Sequence, residues 1–316
     1  MVKIADRILF YLILKPLSYF PLGLLYFYSS IVGFLTYHLI RYRRKVVHKN
    51  LITAFPQKSL AEIKDIEKGF YRHFSDFIFE SIKAISISDK QLLKRTKIKN
   101  PELIERLYAE NKNLIVTCGH YNNWEFYAVS LPKLIEYKTY SVYQPLKNTF
   151  YDQILFNSRV RNGMKLIKTK ELIPFFAQKS NEKRMVIIVN DQSPSNKEVA
   201  YWNTFLNQET GWNNGPEKLA RKYDYAVLFG HSKQIKRGYY EVEFTLITEK
   251  PQALAEGEIT SAYSALLEKL IESNPQFWLW SHKRWKHKRS AVVVEAGTVA
   301  VAVAVAVADV AKRKVG

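Results

Sequence analysis

Cysteine is nearly absent from this chain of 316 residues, because Cys118 is the only one. A single cysteine excludes an intrachain disulfide and a metal cluster held by several cysteines, and it fits a reducing compartment. Cys118 lies in an apolar run, so we interpret it as a small buried hydrophobic residue. The sequence also lacks a glycine-rich phosphate loop, a zinc-ligand spacing and a nucleophile elbow. We therefore predict no bound metal and no cofactor.

Negative charge is scarce as well. The chain has 29 Asp and Glu against 48 Lys and Arg, which gives a formal net charge of +19. Such an excess predicts a polyanionic partner, either nucleic acid, an anionic bilayer surface or an acidic carrier protein. Hydrophobic residues make up 47% of the chain and aromatic residues 14%, so it can bury a substantial core and is not disordered.

Charge is missing altogether from residues 16–40, which are rich in Leu, Phe and Tyr. A bilayer core needs about 20 such residues in a helix, and this segment is too long for a signal peptide. Pro16 and Pro21 predict a break in its first part. The denser basic cluster, in residues 41–45, favours a cytoplasmic body. We predict that residues 1–45 form a membrane anchor, either as one span or as helices lying in the interface.

The remainder of the chain predicts an α/β domain over residues 46–289. Residues 46–95 have the spacing of amphipathic helices, and from about residue 100 short apolar strands alternate with helices. This pattern predicts a central mixed, mostly parallel sheet flanked by helices, with ligands beyond the carboxyl ends of the strands. Residues 290–316 contain a Val/Ala repeat of low complexity, which we interpret as a non-native or wrongly assigned tail.

A histidine and a glutamate five residues apart, His120 and Glu125, follow the predicted strand at 113–118. On a continuous helix five residues turn through about 500°, so the two side chains would not be neighbours. They can meet if His120 lies in a strand-to-helix turn that is capped by Asn122 or Asn123. A neutral imidazole can then take the proton of an attacking hydroxyl, while the carboxylate fixes its tautomer. We predict His120 as general base and Glu125 as its partner.

Five blocks of sequence carry a more specific signal. In chain order they are residues 119–125, 159–163, 190–193, 205–221 and 278–286. Together they resemble the lipid A biosynthesis lauroyl/myristoyl acyltransferase family, within the glycerolipid acyltransferase group that shares a His-x4-Asp/Glu box. The resemblance covers about residues 5–289. It implies a glycerolipid acyltransferase-like fold with an N-terminal membrane-associated helix. It further implies direct transfer of a fatty acyl chain from an acyl carrier protein thioester to a hydroxyl of a lipid A precursor.

The later blocks supply further candidate residues. The candidates for substrate binding are Arg159, Arg161, Asp191, Gln192, Thr210 and Asn214. The candidates for membrane and phosphate contact are Trp280, His282, Arg284 and Trp285. Guanidinium groups pair with phosphate, and indole rings lie at headgroup depth. The competing interpretation is an ordinary surface, turn or loop role for the first set, and nucleic-acid binding for the second.

The resemblance also implies the partners and the location. The partners are an acidic acyl carrier protein, an anionic membrane lipid and an amphiphilic lipid acceptor, without nucleic acid. The acyl-phosphopantetheine group is a substrate and not a cofactor. The expected location is the bacterial inner membrane, with the catalytic domain on the cytoplasmic side. Two alternatives stay open: acylation of another amphiphile, such as an aminolipid, lysophospholipid or glycolipid, and a non-catalytic membrane adaptor. Acyl chain length and the choice between carrier protein and coenzyme A as donor also stay open.

Overall fold

Apolar strands from the middle of the chain form one sheet in the computed structural model, which describes residues 4–196 and 200–289. The strands are β1 (Thr96–Ile98), β2 (Leu114–Cys118), β3 (Lys138–Tyr143), β4 (Lys165–Lys168), β5 (Arg184–Val189), β8 (Ala226–Lys236) and β9 (Tyr239–Thr248). Their order is β1-β9-β8-β2-β5-β3-β4, and only the β8–β9 pair among them is antiparallel. The predicted mixed, mostly parallel sheet is confirmed. The tail at 290–316 lies outside the described residues.

Helices cover both faces of this sheet. They are α6 (Asp89–Arg95), α7 (Pro101–Ala109), α8 (Trp124–Ser130), α9 (Thr149–Val160), α10 (Leu172–Ala177), α11 (Gly215–Tyr223) and α12 (Glu258–Ser273). Every residue of β2 is buried, as expected for a central parallel strand that is covered on both sides. Helix α8 ends at Ser130, where a 3-10 turn containing Pro132 follows it.

The N-terminal residues form three helices: α1 (Ile4–Leu9), α2 (Lys15–Tyr19) and α3 (Leu22–Leu35). The predicted break is confirmed, because α2 ends at Tyr19 and α3 restarts after Pro21. With the π turn that follows it, α3 gives a helix over Leu22–Ile40 that is long and apolar enough to cross a membrane, and 22% of it is buried. Two amphipathic helices, α4 (Arg44–Ala54) and α5 (Leu60–Ala84), then lead into the sheet as predicted.

A β-hairpin that the sequence did not predict lies outside the main sheet. It pairs β6 (Tyr201–Phe205) with β7 (Gln208–Trp212) in antiparallel register. Leu206 and Asn207 form its turn, and both have a positive φ, as a two-residue hairpin turn requires. The hairpin packs on the C-terminal segment, where Phe205 and Trp278 lie in one hydrophobic cluster.

Candidate active site

His120 and Asp191 meet where two neighbouring parallel strands end. His120 lies in the turn after β2 and Asp191 directly after β5, and these strands pair with Cys118 opposite Val189. His120 Nδ1 is 2.6 Å from Asp191 Oδ1, and the backbone N–H of His120 donates to Asp191 Oδ2 at 2.7 Å. Trp278 Nε1 donates to the same Oδ2 at 2.8 Å. The carboxylate of Asp191 is therefore held by three contacts.

The electrostatics of this pair favour an ionised Asp191. Burial alone would raise the pKa of Asp191, but His120 and the hydrogen bonds to the carboxylate lower that pKa below its usual value. An ionised carboxylate accepts the proton of Nδ1 and leaves Nε2 as the acceptor nitrogen. The Nε2 atom lies 3.5 Å from the side-chain amide of Gln192 and faces a pocket. This is the tautomer that a general base requires.

The predicted contact between Glu125 and His120 was wrong. Glu125 does lie in the first turn of α8, and Asn123 caps that helix by accepting the N–H of Phe126 at 2.8 Å. However, the Glu125 carboxylate binds Arg159 of α9 through two hydrogen bonds, of 3.0 Å to Nε and 2.5 Å between Oε1 and the guanidinium. Asp191, which follows the neighbouring strand β5, is the hydrogen-bond partner of His120. Glu125 instead forms an ion pair with Arg159 in the wall of the pocket.

The turn that carries His120 contains residues that allow neighbouring side chains and an unusual backbone conformation to be accommodated. A side chain at Gly119 would place its Cβ 2.9 Å from Leu267 Cδ1 and 3.2 Å from Asp191 Oδ2, so a larger residue there would require both neighbours to shift. Asn122 has a φ of 56°, in the left-handed region that asparagine tolerates better than most residues. Its backbone N–H donates to Phe277 O at 3.0 Å, which ties the turn to the C-terminal segment.

A cavity of about 770 Å³ opens beside His120, within the range typical of small-molecule sites. Much of its wall is apolar. The apolar side chains that line it include Ala128, Val142, Leu155, Phe156, Leu166, Leu172, Ile187 and Val189. Arg159 and Gln192 also line it, whereas Leu146 and Lys147 belong to a loop on its edge. A long apolar substrate with one polar reacting group matches this lining.

Asp191 holds His120 and does not line this cavity, and three more of the predicted substrate-binding residues lie apart from it. Arg161 donates to the carbonyls of Ile85 and Ile87, at 3.2 and 2.5 Å, beyond the end of α5. Thr210 is buried in the hairpin, where its hydroxyl donates to Gln208 O. Asn214 precedes α11 and lines a separate shallow depression. Their positions favour structural roles and correct the assignment of all three to the substrate pocket.

The predicted membrane contact of Trp280 and Arg284 was also wrong, because both side chains are buried. Trp280 Nε1 donates to Pro275 O at 2.6 Å. Arg284 lies 4.4 Å from the centre of the Trp212 ring and donates to Gly211 O at 2.8 Å. Burial lowers the pKa of Arg284 to about 10. Tryptophans and cations alternate here because they stack in a core.

The other two residues predicted to contact the membrane are half-buried between the hairpin and the catalytic turns. His282 Nε2 accepts the backbone N–H of Ser193 at 3.3 Å, and burial lowers the pKa of His282 to about 4. Trp285 Nε1 donates to Thr210 Oγ1 at 2.8 Å, and the Trp285 ring packs near Phe205. His282 braces the loop after β5 and Trp285 packs on the hairpin, so both side chains are engaged within the protein.

Sequence reasoning missed another buried carboxylate close to the catalytic turn. Glu80 of α5 accepts hydrogen bonds from Asn123 Nδ2 and Tyr240 OH, each at 2.6 Å, and from Tyr26 OH at 2.5 Å. Burial raises the pKa of Glu80 to about 7. The signal that could have found it is a carboxylate on the apolar face of an amphipathic helix, three residues after Phe77.

Comparison with known proteins gives consistent matches over almost the whole chain. The sequence model for bacterial lipid A biosynthesis acyltransferases matches residues 2–287. The lipid A biosynthesis lauroyltransferase of Escherichia coli (strain K12) is 22% identical over 276 residues, which cover 86% of this chain and 88% of that protein. The lipid A biosynthesis palmitoleoyltransferase of the same organism is 21% identical over 273 residues, which cover 84% and 86%. A lipid A biosynthesis acyltransferase of Shigella flexneri matches to the same extent.

Proposed function

The chain belongs to the bacterial lipid A biosynthesis acyltransferase family, and on that premise we propose its reaction. It transfers a fatty acyl chain from an acyl carrier protein thioester to a hydroxyl of a lipid A precursor, at the cytoplasmic side of the inner membrane. His120 acts as the general base. The observation that carries this proposal is the position of His120, with Nδ1 held by Asp191 and Nε2 facing an apolar cavity.

The proposed chemistry is a direct transfer. His120 Nε2 takes the proton of the acceptor hydroxyl while the hydroxyl oxygen attacks the thioester carbonyl carbon. The tetrahedral intermediate collapses by breaking the C–S bond, and the imidazolium returns the proton to the leaving thiolate. Cys118 is an unsuitable nucleophile, because burial strongly raises the pKa of its thiol. Asp191 is a positioning residue that stabilises the imidazolium without touching substrate.

A basic groove supports an acidic carrier protein as the donor. We define the groove by the exposed residues Lys45, Lys49, Lys283, Lys286, Lys288 and Arg289. It encloses about 800 Å³. Lys283, which lines the groove, directly follows His282 in the chain, and the His282 ring accepts the backbone N–H of Ser193, next to Gln192 of the active site. A dense group of cations attracts an acidic protein and does so less at high salt, because mobile ions screen the attraction.

The test is an assay of the purified chain with acyl carrier proteins of several acyl lengths, acyl-coenzyme A, and a panel of acceptors. We expect the carrier thioester and a lipid A precursor to be the preferred pair, and His120→Ala to lose nearly all activity. Mass spectrometry of lipid A after deletion of the gene separates the acceptors, since an unchanged acyl count would indicate another amphiphile. A membrane adaptor, in contrast, would keep its cellular role with His120→Ala.

Docking of the carrier has its own test. The double variant Lys283→Glu and Lys286→Glu should raise the KM for the carrier at low salt and leave kcat nearly unchanged. Lys94→Glu with Lys97→Glu makes the same charge change on exposed residues at the β1 edge of the sheet, so it is the matched control. Equal effects of the two double variants, or a KM that does not depend on ionic strength, would contradict docking at the groove.

A further inference from the structure

One face of α3 and its C-terminal turn is apolar and exposed. We call this face the apolar stripe. Its residues are Phe20, just before α3, and Leu24, Phe27, Tyr28, Ile31, Val32, Phe34 and Leu39. From Phe20 to Phe34 they recur every three or four residues, and Phe27, Phe34 and Leu39 are 61%, 60% and 70% exposed. An exposed surface made of eight large apolar or aromatic side chains is better suited to contact with lipid than with water.

The opposite face of α3 packs along α5 over its whole length. Near one end, Tyr26 OH donates to Glu80, and in the middle Ser29 Oγ donates to Asp76 Oδ1 at 2.5 Å. Near the other end, Gly33 lies so close to Tyr71 that an added Cβ would be 3.3 Å from its carbonyl oxygen. The two helices therefore run side by side, so α3 has no free length that could leave the body.

Helix α5 contributes ionisable groups that contact the α/β body, and it is hydrogen-bonded to the turn that carries His120. Asp76 forms an ion pair with Arg237, in which Nε donates to Oδ2 at 2.8 Å. Glu80 binds Tyr240 of β9 and Asn123 of the turn after β2. An upright α3 would draw α5 and these ionisable groups into hydrocarbon, where charge is strongly disfavoured. An α3 that lies flat keeps them on the aqueous side.

The first helices bring further exposed apolar side chains close to the catalytic cavity. Ile8 and Leu12 are exposed, whereas Phe10 packs edge-to-face on Phe150. Asn148 donates to Asp6 at 3.0 Å, directly after the loop with Leu146 and Lys147 that lines the cavity. The N-terminal helices and the edge of the cavity are therefore neighbours.

We infer that α1–α3 lie in the plane of one membrane leaflet without crossing the bilayer, with the apolar stripe among the acyl chains and the cavity edge at the headgroups. The argument rests on packing and exposure, so it is independent of the role proposed for His120. A substrate lipid would then enter the cavity laterally from the leaflet, and its reacting hydroxyl would not need to leave the membrane surface.

Labelling of the two ends of the apolar segment tests the inference. Lys15→Cys and Lys45→Cys flank it, Lys68→Cys marks the body, and all three positions are exposed. The wild-type chain is the blank, because its Cys118 is buried. The reagent is a membrane-impermeant maleimide, applied to intact spheroplasts and to sealed inverted membrane vesicles. We expect all three cysteines to react only from the side of the body. Reaction of Lys15→Cys from the opposite side would overturn the inference, as would a chain recovered wholly in the soluble fraction.

Depth measurements provide a second readout on full-length protein in lipid vesicles. Nitroxide labels at Leu24→Cys and Phe34→Cys lie on the apolar stripe, away from the packed face of α3. These positions are about 15 Å apart along a helix axis. If α3 lies flat, both labels should show the same shallow depth by collision with lipid-soluble oxygen, and a label at Lys68→Cys should read as aqueous. A depth difference close to the axial separation would indicate an upright helix.

Discussion

The substitution Asp191→Asn tests the assignment of the histidine's partner. Oδ2 of Asp191 accepts two hydrogen bonds, from the His120 backbone at 2.7 Å and from Trp278 Nε1 at 2.8 Å. The asparagine carbonyl oxygen should take that position, since only an acceptor satisfies both donors. The amide nitrogen then faces Nδ1 of His120 at the 2.6 Å position and offers a second donor. The imidazole is forced to carry its proton on Nε2, where it cannot accept one.

The size of the effect follows from what the base contributes. General-base help is typically worth about 10²–10⁴ in rate. We therefore expect kcat for Asp191→Asn to fall by about 100-fold or more, which corresponds to about 3 kcal/mol in the activation free energy. Asp191 does not line the cavity, so the KM for either substrate should change little. The loss should appear in kcat and not in binding.

The assay is steady-state acyl transfer, with kcat and KM measured for donor and acceptor and folding checked by thermal unfolding. Glu125→Gln is the control, because Glu125 was the partner that sequence spacing suggested and its carboxylate binds Arg159 instead. A folded Asp191→Asn that keeps kcat within about threefold of wild type would refute the pairing, since such a change is under 1 kcal/mol. If Glu125→Gln is as stable as Asp191→Asn but loses more kcat, Glu125 and not Asp191 would be the residue that fixes the tautomer of His120.

Three further predictions concern the surroundings of the site. Glu80 has a folded pKa of about 7, above its usual 4.5, so its contribution to stability is full below pH 4.5 and is lost as pH rises through 7. His73 and His282 titrate with the opposite sign in this range, so the measurement is the difference in unfolding free energy between wild type and Glu80→Gln. That difference should change by up to about 3 kcal/mol, to the disadvantage of the wild type, between these limits; a difference that does not depend on pH would contradict this. Arg159→Ala leaves the buried Glu125 unpaired and should cost about 3–5 kcal/mol of folding stability in the same measurement. The double variant Glu125→Gln with Arg159→Gln should recover part of that loss, and no recovery would argue against the pair. Ala128→Trp narrows the apolar cavity and should shift competition assays toward shorter acyl donors, at about 0.8 kcal/mol per excluded methylene; an unchanged preference would place the acyl chain elsewhere.

The sequence predicted where the site lies in the fold, but it did not predict which side chains contact each other there. The alternation of strands and helices put His120 at the carboxyl end of a strand, and the structure has both His120 and Asp191 at strand ends. Their contact depends on strand order, because β5 lies beside β2 although β3 and β4 come between them in the chain. Spacing along the chain carries no information about that order. It favoured Glu125, which is near His120 in sequence but directed toward another helix.

The errors at the C-terminal segment have a different physical cause. Alternating tryptophans and cations are typical of a membrane interface, but they also suit a core in which guanidinium stacks on indole. What decides between the two is tertiary packing, because Phe55 packs on Trp280 and the hairpin covers Arg284. The Leu206–Asn207 turn of that hairpin lacks the glycine that usually marks such a loop. Once that segment is buried, the apolar stripe on α3 is the stronger candidate for contact with lipid. The same helix reaches the catalytic turn through Tyr26, Glu80 and Asn123, so membrane contact and positioning of the base share one set of hydrogen bonds.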